Sequence, residues 1–135
     1  MNPTVLLLLD THILLALVDE ELEPLPPHID ETLRDPHHSL FASAVSLWEI
    51  AIKHRLGKLP LPCPLEEWPE VLSTMAVTVM DIRPPHVLAE ADPLPETKDP
   101  FDRLLLAICE CEDMRLVTLD KMLLRHPLAW HWGSA

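Results

Sequence analysis

The chain has no tyrosine and only 2 glycines among 135 residues. Phosphate-cradling loops of the Walker or dinucleotide type need more glycines than this chain can place together, and collagen-like sequence is excluded. Cysteine is sparse too. Cys63, Cys109 and Cys111 are an odd number at unpatterned spacing, which makes no disulfide framework. A zinc site recruiting His126 or His131 lacks any CxxC or HxxxH spacing, so buried small hydrophobes describe the thiols better. Bases are few: Lys plus Arg number 10 against 22 Asp plus Glu, a formal net charge of -12. Holding nucleic acid by blanket positive charge is therefore disfavoured. Chemistry on phosphates would need a local device, and a bound divalent cation is the obvious one. No apolar run reaches the length of a membrane span. The apolar start, residues 5–18, is broken by Asp10 and His12 and has no base ahead of it, unlike a signal peptide. A soluble, cytoplasmic protein with no membrane partner is expected.

What is present suits one packed domain over residues 1–135. The hydrophobic fraction is 48% and the charged fraction 24%, as in a globular core rather than a disordered tail. Residues 5–9 are a continuous apolar run ending at Asp10, the pattern of a strand buried on both faces. Helices are predicted over 11–18, 28–34, 43–56 with Gly57 as the stop, 65–75, 84–90, 99–114 and 121–125. Further strands are predicted over 37–41, 76–82, 115–118 and, at an edge, 128–132. Most of the 15 prolines fall in the intervening loops. Strands alternating with helices point to an α/β protein, a sandwich around a mainly parallel sheet.

Four acids stand out by position. Asp10 follows the first strand and Asp120 follows the strand containing Leu116, Val117 and Thr118; open parallel sheets bind ligands beyond the carboxyl ends of their strands. Asp102 lies in the first turn of a helix that Asp99 can cap and Pro100 can begin. Glu49 lies among Leu47, Trp48, Ile50, Ala51 and Ile52, where a charge is costly to bury without a partner. Each has a plainer explanation. Asp10 and Asp120 could simply cap the helices that follow them. Asp102 could face the positive end of its helix. Glu49 follows Ser46 by three, the capping-box spacing, although Ser43 suggests an earlier helix start. Taken together the acids suggest a cation site. Two carboxylates about 4 Å apart repel by about 4 kcal/mol at an effective dielectric near 20, and oxygen-only ligands favour magnesium or manganese over zinc or copper.

Leu9-Asp10-Thr11-His12, Ser46-Leu47-Trp48-Glu49-Ile50, Asp99-Pro100-Phe101-Asp102-Arg103 and Val117-Thr118-Leu119-Asp120 closely resemble PIN-domain proteins, above all the VapC-type ribonuclease toxins of bacterial toxin–antitoxin pairs. The likeness runs from Val5 to Trp132. It implies a three-layer α/β/α sandwich with a central parallel sheet, and Mg2+ (or Mn2+) held by Asp10, Glu49, Asp102 and Asp120 for hydrolysis of RNA phosphodiesters. Asp99 is a further candidate near the cluster, and Thr11 and Ser46 match supporting hydroxyl positions. Some relatives carry the last acid three residues later, where this chain has Leu123, leaving Asp120 to that role. An RNA substrate, a cognate antitoxin and a homodimer are the partners implied. Arg103, Lys53 and Arg55 could touch the RNA backbone, or Arg103 could hold Asp99 or Asp102 in place; a solvated helix face equally accounts for Lys53, His54, Arg55 and Lys58. Trp48, Trp68, Trp130 and Trp132 could anchor protein partners or belong to the core. Two rival functions remain: a magnesium phosphatase, disfavoured because the signature of two aspartates flanking one residue after the first strand is missing, His12 standing where the second would be, and a catalytically silent scaffold that only binds RNA or protein.

Overall fold

Val5–Leu9 forms strand β1, and its leucines explain the architecture. Leu7, Leu8 and Leu9 are all fully buried. Leu8 joins a core cluster with Val45, Leu105, Leu106, Ile108 and Leu116 on one face of the sheet. Leu7 and Leu9 join Ile13, Leu14, Ile29, Leu72 and Val117 on the other. Successive strand residues point to opposite faces, so a strand with no polar side must be covered by helices on both. The computed structural model describes residues 4–131 and shows that arrangement.

In chain order the elements are β1, α1 (Thr11–Val18), α2 (Pro27–Arg34), β2 (His38–Ser43), α3 (Ala44–Arg55), a 3-10 turn (Leu65–Glu67), α4 (Trp68–Thr74), β3 (Val77–Met80), α5 (Pro84–Leu88), α6 (Pro100–Glu112), β4 (Arg115–Val117) and α7 (Lys121–Leu124). The sheet has four strands in the order β3-β2-β1-β4, and every pairing is parallel. The protein is therefore an α/β sandwich with a central parallel sheet, as the strand–helix alternation predicts. The chain extends from β1 to β2 and β3 on one side, then returns to place β4 on the other. That reversal opens a crevice at the carboxyl ends of β1 and β4.

Local chemistry sets the element ends. Ser43 caps α3, its Oγ accepting from the Val45 amide at 3.1 Å. Gly57 closes α3 at φ 73°; its amide donates to His54 O at 2.9 Å and the Lys58 amide to Lys53 O at 3.0 Å, a Schellman closure. Three sequence expectations are corrected. β2 runs from His38 to Ser43 rather than over 37–41. The helix expected over 65–75 divides into the 3-10 turn and α4, because Pro69 has no amide to donate to Leu65 O, as a continuous α-helix would require. The edge strand expected over 128–132 is only an isolated bridge between Ala129 and Leu116, where the Leu116 amide donates to Leu128 O and the Trp130 amide to Leu116 O, both at 2.8 Å; Trp132 lies outside the described residues.

Candidate active site

The carboxyl end of β1 places Asp10 beside β4, where its amide donates to Val117 O at 2.9 Å. Asp10 is buried, 4% exposed. Its Oδ1 caps α1 by accepting from the Thr11 amide at 2.8 Å, and its Oδ2 accepts from Thr118 Oγ1 at 2.6 Å. The capping explanation holds for one oxygen of Asp10, and the other is held by Thr118.

Glu49 comes from the middle of α3, which Ser43 caps, so the capping box with Ser46 is not formed. It is 7% exposed and held on both sides. Oε1 accepts from Thr11 Oγ1 at 2.7 Å, and Oε2 accepts from Lys53 Nζ at 2.7 Å, one helical turn on. Ser46 Oγ lies 3.0 Å from Thr11 Oγ1. Because Thr11's single hydroxyl proton goes to Glu49, Ser46 must donate to Thr11. Thr11 and Ser46 thus form a relay that fixes the glutamate.

The N-terminus of α6 supplies the third group. Asp99 Oδ1 caps the helix, accepting from the Phe101 and Asp102 amides at 2.8 and 3.2 Å. Thr97 Oγ1 donates to Asp102 Oδ2 at 3.4 Å. Arg103 does not grip Asp99 or Asp102; its Nε donates to Thr97 O at 2.7 Å and its Nη2 to Pro95 O at 3.4 Å. It clamps the loop that carries Thr97. Asp120 is exposed and caps α7, Oδ1 accepting from the Met122 and Leu123 amides at 2.9 and 3.0 Å.

Electrostatics centres on Asp102. The Asp102 carboxyl is pushed up to about 7, first by burial and then by repulsion from Asp99, Asp10, Glu49 and Asp120. Asp99, Asp10, Glu49 and Asp120 thus each act on Asp102, and Glu49 acts on Asp10. Asp10 is also raised, chiefly by burial, against the pull of Thr118, His12 and the Thr11 amide. Lys53 is held above the usual lysine range by its bond to Glu49, with Asp99 and Asp102 adding to it. The donors are carboxylate and hydroxyl oxygens only, a set whose chemistry fits a hard divalent cation. Among the described residues no three His, Cys, Asp or Glu side chains stand close enough to ligate one ion together. The acids form an electrostatic cluster in which Lys53 supplies the positive charge at Glu49.

Several contacts escaped the sequence reading. Thr118 is two residues before Asp120 at a strand exit, a signal that could have marked it. Lys53, four residues after Glu49, carries the spacing of a helix ion pair. His12, with Nδ1 3.9 Å from Asp10 Oδ2, and Thr97 had no signal beyond adjacency to a motif. A family model describing the PIN domain matches residues 7–127, an interval containing all four acids. No curated protein and no solved structure matches the chain.

Proposed function

Since the chain belongs to the PIN domain family, whose members are nucleases and typically metal-dependent, we propose that it is a magnesium-dependent endoribonuclease, the toxin of a type II toxin–antitoxin pair. Residues 1–135 would act as a single domain in the cytoplasm, with manganese as a substitute ion. The observation that carries this reading is the pair of buried carboxylates, Asp10 and Glu49, 4% and 7% exposed and both bonded to Thr11, with Asp102 pushed up to about 7 by burial and then by the acids around it. Such strain clusters at functional sites, and a dication relieves it. Among the described residues no helix is long and apolar enough to cross a membrane.

Asp10 and Asp102 would hold the ion directly, and Glu49 and Asp120 would complete its surroundings directly or through water. When bound, the cation supplies an acidified water and positive charge opposite the phosphate oxygens. The remaining work falls to the protein. Thr118 and the Thr11 amide fix the rotamer of Asp10. Thr11 and Ser46 orient Glu49. Arg103 holds the 95–97 loop so that Thr97 reaches Asp102. Lys53 holds the other oxygen of Glu49 and, half-exposed, would be within reach of a substrate phosphate.

Purified protein is incubated with RNA and, separately, with a phosphomonoester, in magnesium or EDTA. Magnesium-dependent RNA cleavage that Asp10→Asn abolishes is expected; an Asp10→Asn chain of undiminished activity overturns the site. A silent scaffold is the second reading, favoured by Lys53 already neutralising Glu49, and it requires RNA binding without turnover. Phosphate release from the monoester would mark a phosphatase. The toxin role and homodimer rest on the resemblance. A short upstream reading frame with a DNA-binding N-terminus, whose product neutralises the nuclease, supports them.

A further inference from the structure

The most exposed tryptophan of the described chain sits beside the acids. Trp48 immediately precedes Glu49 on α3 and is 56% exposed, although its neighbours Glu49 and Ile50 are buried. It is also braced. Phe101, which immediately precedes Asp102 on α6, meets it edge-to-face, ring centroids 5.4 Å apart and planes at 66°. Each ring is thus the chain neighbour of an acid in the cluster, and the pair lies along the α3–α6 seam. The open indole surface is fixed in place before any ligand arrives, so binding to it forfeits little side-chain entropy.

The surroundings of the ring favour a nucleic acid over an apolar protein face. Past Trp48, the exposed residues at the end of α3 are Lys53, which is bonded to Glu49, then His54 and Arg55, followed by the exposed C-cap Leu56. Lys53, Arg55 and nearby Lys58 belong to a chain with 10 Lys and Arg in all and a net charge of -12. An open ring, a local run of cations and an acid cluster match a base, its phosphates and the bond to be cut. A protein of this charge cannot rely on long-range attraction, and stacking is the sequence-tolerant alternative. We propose that Trp48, braced by Phe101, is a stacking platform for an unpaired nucleobase of a single-stranded RNA whose backbone crosses the acids. Bases inside a duplex are already stacked and out of reach, so the platform selects single strands.

This inference rests on the nuclease reading, and the experiment separates the two. Magnesium-dependent cleavage of single-stranded RNA by the wild-type chain tests that reading by itself. Stacking is then read on the Asp10→Asn chain with a short uridine oligomer, free or annealed to its complement. The single strand quenches tryptophan fluorescence, and the duplex does not. Adding Trp48→Ala weakens binding by roughly 5- to 150-fold, the range for one stacked base. Trp48→Phe restores most of the affinity but loses the quenching. Circular dichroism checks the fold; should Trp48→Ala unfold, Trp48→Phe decides alone, and retained quenching refutes the platform. Unchanged affinity in Trp48→Ala, or no measurable oligomer binding by a chain whose parent cleaves RNA, also refutes it. So does a change of oligomeric state in Trp48→Ala with RNA affinity intact, which assigns the ring to a protein interface.

Discussion

Replacing Asp102 by asparagine should stabilise the ion-free protein at pH 8. The carboxyl titrates near 7 in the folded chain against a reference of 3.8. From 3.8 to about 7, at about 1.4 kcal/mol for each tenfold change in proton affinity, the full value is about 4 kcal/mol. Asp102 is only half-buried, so solvent screening reduces this to roughly 1–2 kcal/mol. The sign follows from proton binding. Between about pH 4 and about pH 7 the folded state binds the Asp102 proton more tightly than the unfolded chain does. Stability from this group is therefore greatest below that window and falls as pH rises through it. Urea unfolding in EDTA should show Asp102→Asn more stable than wild type by roughly 1–2 kcal/mol at pH 8, with a smaller gap at pH 5. Added magnesium should stabilise wild type at pH 8 far more than the variant. A destabilised Asp102→Asn at pH 8 in EDTA, or a gap independent of pH, refutes the burial of this carboxyl among like charges.

Other consequences follow from single contacts. Thr118→Val strands the buried Oδ2 of Asp10 and should cost about 1–3 kcal/mol in urea unfolding while weakening magnesium binding by calorimetry. Lys53→Met removes the cation at Glu49; the ion-free protein should melt lower, and magnesium should raise its melting temperature by more than it does for wild type. Gly57→Ala meets nothing within 4 Å but must adopt φ 73°, so thermal melts should register a loss of about 1 kcal/mol without a change in magnesium affinity.

Much of the framework was legible because short-range chemistry decides it. The short aliphatic run before Asp10 reads as a strand covered on both faces, and the structure makes it one. Asp99 followed by Pro100 marked a helix start that the structure places at that residue. Gly57 marked the end of α3. Glu49 was conspicuous as a charge among apolar residues, and its burial beside Thr11 and Lys53 explains how the helix tolerates it. Longer-range partnerships were hidden. Thr118 and Asp10 are 108 residues apart, and only the parallel register of β1 with β4 unites them. Arg103 looked equally suited to RNA, Asp99 or Asp102, and choosing the carbonyls of Pro95 and Thr97 depends on how a proline-rich loop folds back. The exposure of Trp48 was equally unreadable. With apolar residues on nearly every side of α3, the pattern does not say which face the sheet covers, and packing against α6 leaves this indole outside.

The central claim is that Asp10, Glu49, Asp102 and Asp120 serve hard divalent cations, directly or through water. Titration of manganese into the purified protein, followed by calorimetry and by the loss of the free-ion paramagnetic signal, addresses it directly. The account predicts saturable binding at neutral pH that magnesium competes away and that Asp10→Asn and Asp102→Asn each abolish or severely weaken. Binding that survives both substitutions unchanged, or no saturable binding by the wild-type chain, contradicts it.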